Sequence, residues 1–300
     1  MITLTMIVAI VTMAGSGGQA FFSVATAQED DDDLNLCGFH RIKKFDTNGK
    51  LITSWGEKGT GDGKFLHPHD IAVDSEGNVF VTDEERQDVQ KFDSNGTFIT
   101  KWGSPGRGQG EFSPRIEDIN VDSMGDVYVV DYGNSRIQKF TNDGEFITMW
   151  GSKGSEPGQF DRLWGVSFDS AGDVYVSDLR NNRIQKFDNN GKFITMWGSL
   201  GEAPGQFAEH HGIDFDSLGH VYVADTGNSR IQVFTPLGKL LYSFGSLGVG
   251  DTQFIMPQDI AIDSSDHIYV TDIVDAHPEI SGIKRFLSEH QNITRTSCNS

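Results

Sequence analysis

The chain has 300 residues, of which 37% are hydrophobic and 35 are glycine, a composition that suits an all-β protein with many turns and an ample core. Its 24 basic and 43 acidic residues give a formal net charge of −19, which argues against a nucleic-acid partner because no Lys/Arg-rich run stands outside the repeats described below. The same charge suits either a secreted protein or a cation-binding protein, and it does not choose between them.

The first 27 residues carry no charged side chain, and Met6–Met13 is almost wholly apolar. Because small residues follow at 25–27, we predict that residues 1–27 are a signal peptide and that the mature protein is secreted or extracellular. An uncleaved anchor at the outer cell surface is the alternative, and only this alternative gives the chain a membrane partner. The carboxylates of Glu29–Asp33 predict an acidic linker over residues 28–36.

Short apolar runs separated by turn residues occupy the rest of the chain. The first two are Phe39–Phe45 and Leu51–Trp55, and four longer repeats follow at residues 68–103, 114–151, 162–198 and 210–245. In the third repeat the runs, which we label strands a to d, are Gly165–Phe168, Val174–Val176, Arg183–Phe187 and Phe193–Trp197. Asp/Asn-Gly turns between a and b, and between c and d, predict antiparallel hairpins. The first two runs match strands c and d.

The repeat period is regular. The residues that end strand a and strand d each recur at intervals of 47 or 48, at Asp74, Asp122, Asp169, Asp216 and Asp263 for strand a and at Trp55, Trp102, Trp150, Trp197 and Phe244 for strand d. A period in this range with four strands per repeat predicts an all-β fold, a β-propeller of four-stranded antiparallel blades around a central channel.

The number of blades depends on how the ends pair. The last repeat supplies strand a at Asp259–Ile262 and strand b at His267–Val270. If these strands pair with the first c and d strands, the termini meet in one blade, the ring closes and the propeller has five blades. However, Gly282–Phe286 looks like a second strand c and leaves room for a sixth blade.

The two cysteines, Cys37 and Cys298, bound the predicted propeller domain over residues 37–298. In an exported protein an even pair is expected to form a disulfide, which would fasten the ring where its termini meet. Two unpaired thiols are the alternative. Asn95 and Asn292 begin glycosylation sequons, which have meaning only in a host that glycosylates.

The motifs IAVDSEGNVFVTD, VYVADTGNSRIQVF and RIQKFDNNGKFITMWG resemble the NHL repeat, and the resemblance covers residues 39 to 287. It implies a propeller, in most members one of six blades. It does not imply one function, because the family includes RNA-binding, protein-binding, sensor and enzyme members.

Residues that recur in every repeat are predicted to be structural. An Asp ends strand b throughout, and in three repeats an Arg begins strand c; these residues are Asp83, Asp131, Asp178, Asp225 and Asp272, with Arg136, Arg183 and Arg230. A carboxylate that accepts from turn amides and from a neighbouring Arg would brace every blade alike. The aromatic residues that end strand d are predicted to pack between blades.

Positions at which the repeats differ are the candidate site. The residue five before the end of strand a, predicted to line one mouth of the channel, is in turn His69, Glu117, Trp164, His211 and Gln258. Two His and one Glu could hold a divalent metal. The acids one position further, Asp70, Asp118 and Asp259, could serve as partners of the ligands or as catalytic acids. Alternatively, these polar residues simply contact ordered water.

The segment Pro68-His69-Asp70-Ile71 resembles a motif of the peptidyl-α-hydroxyglycine amidating lyases, which are NHL-type propellers. The resemblance implies a zinc ion held by three His, a structural calcium ion, and ligand roles for His69 and His211. This sequence departs from that pattern, because Glu117, Trp164 and Gln258 stand where a third His would be.

Two hypotheses follow. In the first, the protein is a secreted propeller that acts as a rigid scaffold for a protein, peptide or glycan ligand, and it needs no cofactor. In the second, it is a metal-dependent lyase or hydrolase centred on His69 and His211, with Glu117 as a further ligand. The two hypotheses differ in whether a transition metal is bound.

Overall fold

A computed structural model describes residues 6–7, 20–25, 40–46, 50–272, 282–286 and 294–296, with side chains for 40–46 and 50–272. The chain divides into two compact units, residues 1–152 and 153–300. Each unit contains three four-stranded antiparallel sheets within its described residues. In the described part of the chain, no helix is both long enough and apolar enough to cross a membrane.

The first unit contains sheets 1 to 3. Sheet 1 is built from β1 Met6–Ile7, β2 Ala20–Ala25, β3 Arg41–Asp46 and β4 Leu51–Trp55. Sheet 2 is built from β5 Pro68–Val73, β6 Val79–Asp83, β7 Asp88–Phe92 and β8 Phe98–Trp102. Sheet 3 is built from β9 Ile119–Val121, β10 Val127–Asp131, β11 Arg136–Phe140 and β12 Phe146–Trp150, with a short 3₁₀ helix at Tyr132–Asn134.

The second unit contains sheets 4 to 6. Sheet 4 is built from β13 Leu163–Phe168, β14 Val174–Asp178, β15 Arg183–Phe187 and β16 Phe193–Trp197. Sheet 5 is built from β17 His210–Phe215, β18 Val221–Asp225, β19 Arg230–Phe234 and β20 Leu240–Phe244, with a 3₁₀ helix at Thr226–Asn228. Sheet 6 is built from β21 Pro257–Ile262, β22 Ile268–Asp272, β23 Gly282–Phe286 and β24 Thr294–Thr296.

Burial differs between the inner and outer strands of a sheet. Every residue of β6 and β7 is buried, as in the corresponding strands β10, β11, β14 and β15. The outer strands β8, β12 and β16 instead alternate partly buried and exposed residues. The alternation shows that one face of each outer strand meets solvent, whereas the two middle strands are covered on both faces.

The ends of the chain pair differently from the five-blade prediction. β2 pairs with all six residues of β3, and β23 pairs with all five residues of β22. The edges of β3 and β22 are therefore occupied by neighbouring segments, so of the two alternatives left open by the sequence, the one in which the last a and b strands pair with the first c and d strands does not hold. The sheets number six over the described residues, as expected for six blades.

Some predictions fall on segments that the structure does not test. β2 lies within the predicted signal peptide, whose cleavage stays a prediction. Cys37, Cys298 and Asn292 lie outside the described residues, as does the acidic linker, so the disulfide and the second sequon also stay predictions. Asn95 is described and lies exposed on the turn between β7 and β8.

Neighbouring sheets within a unit pack through an aromatic side chain and a turn glycine. Trp55 of sheet 1 lies against Gly96 in the β7–β8 turn of sheet 2, where a Cβ atom on the glycine would come within 2.5 Å of the indole. The same indole packs on Phe92, with ring centroids 5.8 Å apart. Trp102 meets Gly144 and Phe140 in the same way. The prediction that these aromatic residues pack between blades is therefore confirmed within the units.

The Asp that ends strand b braces its sheet as predicted. In sheet 4, Asp178 is fully buried and accepts hydrogen bonds from Asp161 N (2.8 Å), Asn181 Nδ2 and Arg183 Nε (2.8 Å). Arg183 also donates to the carbonyls of Ser155 and Gln159 in the preceding loop. Asp131 with Arg136 and Asp225 with Arg230 repeat this arrangement. The network fixes the loop that leads into strand a.

We predict that Asp178→Asn destabilises the protein by about 3–5 kcal/mol, because the substitution leaves the buried Arg183 guanidinium without a counter-charge. The measurement is the urea concentration at the midpoint of unfolding. It reports stability when the slope of unfolding free energy against urea concentration is the same for both proteins. Asp188→Asn is the matched control, since the Asp188 side chain accepts from the turn N–H groups of Asn190 and Lys192 and pairs with no buried Arg in the described part of the chain; its substitution should cost less than about 1 kcal/mol. Equal losses in the two variants would contradict the bracing role.

Candidate functional site

Strand a begins with a β-bulge in four of the described sheets. The register of β5 shifts between Pro68 and Ile71, and comparable shifts occur near the start of β13, β17 and β21. A bulge inserts unpaired residues into a strand and redirects their side chains. The bulged segments contain four of the five residues predicted to line the mouth of the channel: His69, Trp164, His211 and Gln258. The candidate residues therefore sit where the backbone departs from regular pairing.

Three potential metal ligands meet in the first unit. His69, Glu84 and Glu117 each offer one ligand atom, and these atoms lie within 4.8 Å of one another. Nε2 of His69 lies 3.6 Å from Oε2 of Glu117 and 3.9 Å from Oε1 of Glu84. The predicted ligand set was His69, His211 and Glu117, and of these the described cluster contains His69 and Glu117.

Glu117 is the most buried member of this cluster. Its side chain is 1% exposed, whereas those of His69 and Glu84 are each 16% exposed. Oε1 of Glu117 forms an ion pair with Arg115, and Oε2 accepts no hydrogen bond from the described part of the chain. Burial raises the pKa of Glu117 to about 7, opposed by Arg115 and assisted by Glu84. A buried carboxylate oxygen without a donor is suited to receive a cation.

The two histidines near Glu84 have different environments. Nδ1 of His67 lies 2.9 Å from Oε2 of Glu84, and this hydrogen bond raises the pKa of His67. Burial lowers the pKa of His69, so its imidazole is favoured in the neutral form that binds metals. His67 thus holds one oxygen of Glu84 while His69 faces the other.

Arg115 positions Glu117 from the outer side of the cluster. Its guanidinium lies over the ring of Tyr132, 4.3 Å from the ring centroid, and its Nε pairs with Glu117. The backbone also holds this segment, since Glu117 N donates to Val130 O at 3.0 Å. Glu117 precedes β9, so it reaches the cluster from a loop and not from a bulge.

Sequence reasoning missed Glu84 as a member of the cluster. Glu84 immediately follows Asp83, the bracing residue that ends strand b. The position after this Asp differs between repeats, being Glu84, Tyr132, Leu179 and Thr226. This variation next to an invariant residue was the available signal, comparable to the variation at the start of strand a.

The second unit contains the other predicted residues. His211 is 8% exposed, its Nδ1 lies 2.7 Å from Oγ1 of Thr226, and its ring contacts that of Trp164 with centroids 4.4 Å apart. Gln258 is partly exposed and Asp259 is exposed. The structure therefore brings His211 together with Trp164, and its metal-ligand role stays a prediction.

The acids that stand one position after the predicted channel-mouth residues mainly accept hydrogen bonds from backbone N–H groups. Oδ2 of Asp70 accepts from Ile119 N at 3.0 Å and so links β5 to β9. Burial and the neighbouring Asp118 raise the pKa of Asp70 well above its usual value. Asp259 accepts from Ile260 N. These contacts give Asp70 a structural role, and its catalytic role stays a prediction.

The ligand set does not fit the three-histidine zinc site that the amidating-lyase resemblance implies. The described cluster has one imidazole and two carboxylates, and carboxylates suit manganese or magnesium better than a soft metal. Zinc also accepts carboxylate ligands as well as imidazole. The structural calcium ion stays a prediction.

Two family profiles match the chain. The NHL repeat profile matches residues 160–187 and 211–234, and a profile described as a 6-bladed beta-propeller matches residues 75–150. No curated protein sequence matches the chain.

Several solved structures resemble this one. A streptogramin B lyase has a TM-score of 0.65 at 17% identity, with 100% of this chain and 88% of that chain covered. A catalytically inactive virginiamycin B lyase from Staphylococcus aureus, solved with quinupristin, has a TM-score of 0.64 at 16% identity, covering 98% and 88%. A protein of unknown function from Bacteroides caccae has a TM-score of 0.57 at 11% identity, covering 79% and 80%.

These matches define the class of protein. The fold is all-β, with the four-stranded antiparallel sheets of a β-propeller. More narrowly, the chain contains NHL repeats, as its motifs predicted. Because the identities to the solved structures are low, the likeness to them establishes the fold alone.

The buried Asp214 in β17 gives a pH-dependent prediction. Burial raises its pKa from 3.8 to about 7, although Phe215 N and Ile262 N donate to it. A raised carboxyl pKa means that the folded state binds the proton more tightly, so this contribution to stability falls as pH rises from about 4 to about 7. Asp214→Asn cannot ionise and should gain stability relative to the natural protein by up to about 4 kcal/mol across that range.

The measurement is urea unfolding of both proteins at several pH values between 4 and 8. Their difference in unfolding free energy should widen through this window and then level off. A difference that is independent of pH would show that Asp214 is ionised in the folded protein throughout.

Proposed function

We propose that this protein is a lyase that depends on a divalent cation, with His69, Glu84 and Glu117 as the cation ligands. The observation that carries the proposal is the buried Glu117, whose Oε2 has no donor within the described residues and lies 3.6 Å from Nε2 of His69. A lyase is favoured over other cation-dependent activities because structurally similar propellers are lyases. Hydrolysis is the nearest alternative reaction.

A divalent cation held by these residues would polarise a substrate oxygen. The protein's own groups prepare the site for it. Arg115 holds Glu117 by an ion pair, and His67 holds Glu84 by a hydrogen bond, so two of the three ligands are oriented by a second residue. Burial keeps His69 neutral, which leaves an imidazole nitrogen able to bind a metal or accept a proton.

We predict that the full chain binds one Mn²⁺ ion and that His69→Ala and Glu117→Gln each weaken binding by about 100-fold or more. Each substitution removes a ligand, and losing even an outer partner of a ligand costs about 10- to 100-fold. His67→Gln should therefore weaken binding by about 10-fold. The measurement is isothermal titration at pH 8, with Mg²⁺ and Zn²⁺ titrated in parallel.

His220→Gln is the matched control, because His220 also hydrogen-bonds a carboxylate, that of Asp216 at 2.7 Å, but belongs to no such cluster among the described residues. This variant should bind Mn²⁺ with unchanged affinity. If the natural chain binds none of the three cations, or if Glu117→Gln binds like the natural chain, the cation site is wrong.

We predict that the Mn²⁺-loaded chain cleaves quinupristin. Glu117→Gln should lower the cleavage rate by about 100-fold or more, in proportion to the smaller fraction of molecules that hold Mn²⁺. Mass spectrometry distinguishes the reaction type, since an elimination adds no atoms to the substrate whereas hydrolysis adds one water. Cleavage at an undiminished rate in Glu117→Gln would contradict the proposal. Cation binding without cleavage would refute the lyase assignment for this substrate and retain the cation site.

A second candidate function is a rigid scaffold that binds a protein, peptide or glycan. It is favoured by a regular surface feature: the second residue of β4, β8, β12, β16 and β20 is an aliphatic side chain that is 41–55% exposed. These residues are Ile52, Ile99 and Ile147 in the first unit and Ile194 and Leu241 in the second. Aliphatic side chains exposed at one repeated position suit contact with another protein. This function requires no cation, and secretion remains part of the same proposal.

A further inference from the structure

The loop that leads from strand d of one sheet to strand a of the next has a side-chain acceptor in four of its five described copies. In the β8–β9 loop, Oε2 of Glu111 accepts from the backbone N–H groups of Arg107 and Gly108, each at 2.8 Å. These two N–H groups therefore converge on one oxygen. In the next three loops, Oε1 of a Gln accepts at 3.2 Å from the N–H that corresponds to that of Gly108. The pairs are Gln159 with Glu156, Gln206 with Ala203, and Gln253 with Gly250.

The β4–β5 loop has the same backbone conformation as the β8–β9 loop. Gly59 N donates to Phe65 O at 3.0 Å, as Gly106 N donates to Phe112 O at 2.9 Å. The φ angles of the two glycines also agree, at +154° for Gly59 and +156° for Gly106. The β4–β5 loop therefore presents the corresponding pair of N–H groups in the same arrangement.

The β4–β5 loop has no side-chain acceptor for this pair, because Lys64 stands where the other loops have Glu or Gln. The pair consists of the N–H groups of Thr60 and Gly61, which donate to no acceptor in the described part of the chain. Both residues are exposed, so a ligand can reach them. Cδ of Lys64 lies 2.8 Å from a Cβ atom built on the loop glycine, as Cδ of Glu111 lies 2.5 Å from its own. Cε of Lys64, which carries the ammonium group, lies 3.7 Å from a Cβ atom built on Gly61.

We propose that the loop formed by residues 57–65 binds a carboxylate group of a ligand. The N–H groups of Thr60 and Gly61 share one carboxylate oxygen, and the ammonium group of Lys64 holds the other. The carboxylate of Glu111 already fills the corresponding N–H pair in the β8–β9 loop, which shows the chemistry that this backbone geometry accepts. An ammonium group has three N–H donors, and Glu57 at 2.8 Å needs only one of them.

The charges around this loop permit an anionic ligand, although the chain has a formal net charge of −19. Charges farther away than about 8 Å are largely screened at physiological ionic strength. Within the loop, Glu57 pairs with Lys64 at 2.8 Å and Asp62 pairs with Lys101 at 2.7 Å. Two loop carbonyls that would otherwise repel an anion accept from the Arg86 guanidinium at 2.8 Å. The site does not involve the cation cluster, so its failure would leave the proposed lyase function untouched.

The first experiment titrates the natural protein with a defined probe. In ¹⁵N-labelled full-length protein at pH 7 and constant ionic strength, sodium acetate should shift the amide signals of Thr60 and Gly61 in a saturable way. Acetamide, a neutral molecule of the same shape, should leave them in place. Sodium phosphate is titrated in parallel. A response to phosphate without one to acetate would overturn the carboxylate assignment, and no response to either anion would overturn the site.

The second experiment compares two substitutions of Lys64. Lys64→Gln supplies the acceptor that three other loops have, so it should fill the N–H pair and abolish the response to acetate. Lys64→Ala leaves the pair open and removes only the ammonium group, so it should weaken acetate binding by about 10-fold, the worth of one hydrogen bond to a charged group. Thermal unfolding checks that each variant is folded.

Lys239→Gln is the matched control, because it removes the same charge from an exposed position in the second unit. This variant should bind acetate like the natural protein. Undiminished acetate binding in Lys64→Gln, or an equal loss in Lys239→Gln, would overturn the proposal.

Discussion

The buried carboxylate at the end of strand b is the interaction on which the rest of each repeat depends. Asp131, Asp178 and Asp225 each accept hydrogen bonds from a backbone N–H of the loop that leads into strand a of the same sheet, from an Asn side chain and from an Arg guanidinium. The Arg extends the network to loop carbonyls. One ion pair therefore fixes both the hairpin and the start of strand a, and the start of strand a is where the bulges and the candidate residues lie. Stability and placement of the site have a common cause.

This arrangement leaves two positions free to vary in every repeat. One is the bulged start of strand a, and the other is the residue after the bracing Asp. In the first unit they combine as His69 with Glu84, and in the second as His211 with Thr226. The same backbone geometry thus places an imidazole beside a carboxylate in one repeat and beside a hydroxyl in another. Function can differ between repeats because the bracing residues, not the variable ones, carry the fold.

The features that recur in every repeat were predictable from sequence. The features that depend on contacts between residues of different strands were not. The spacing of Asp and Trp residues located the strands, and the fit of Trp55 against Gly96 explains why an aromatic residue and a turn glycine recur together. The pairing of the chain ends stayed open between five and six blades because spacing does not show that Ala20–Ala25 matches β3 in register. Glu84 was missed for a related reason: periodicity aligns equivalent positions and does not show which non-equivalent ones meet across a bulge.

Two buried carboxylates of the first unit show what distinguishes the candidate cluster. Asp83 is fully buried, and its oxygens accept from Leu66 N and His67 N at 2.7 and 3.0 Å. Glu117 is buried to almost the same degree, yet one of its oxygens accepts no hydrogen bond from the described residues. Burying a carboxylate costs several kcal/mol unless donors or cations compensate for the lost water. In Asp83 the backbone supplies that compensation. In Glu117 Arg115 supplies part of it, and a bound cation shared with His69 and Glu84 would supply the rest.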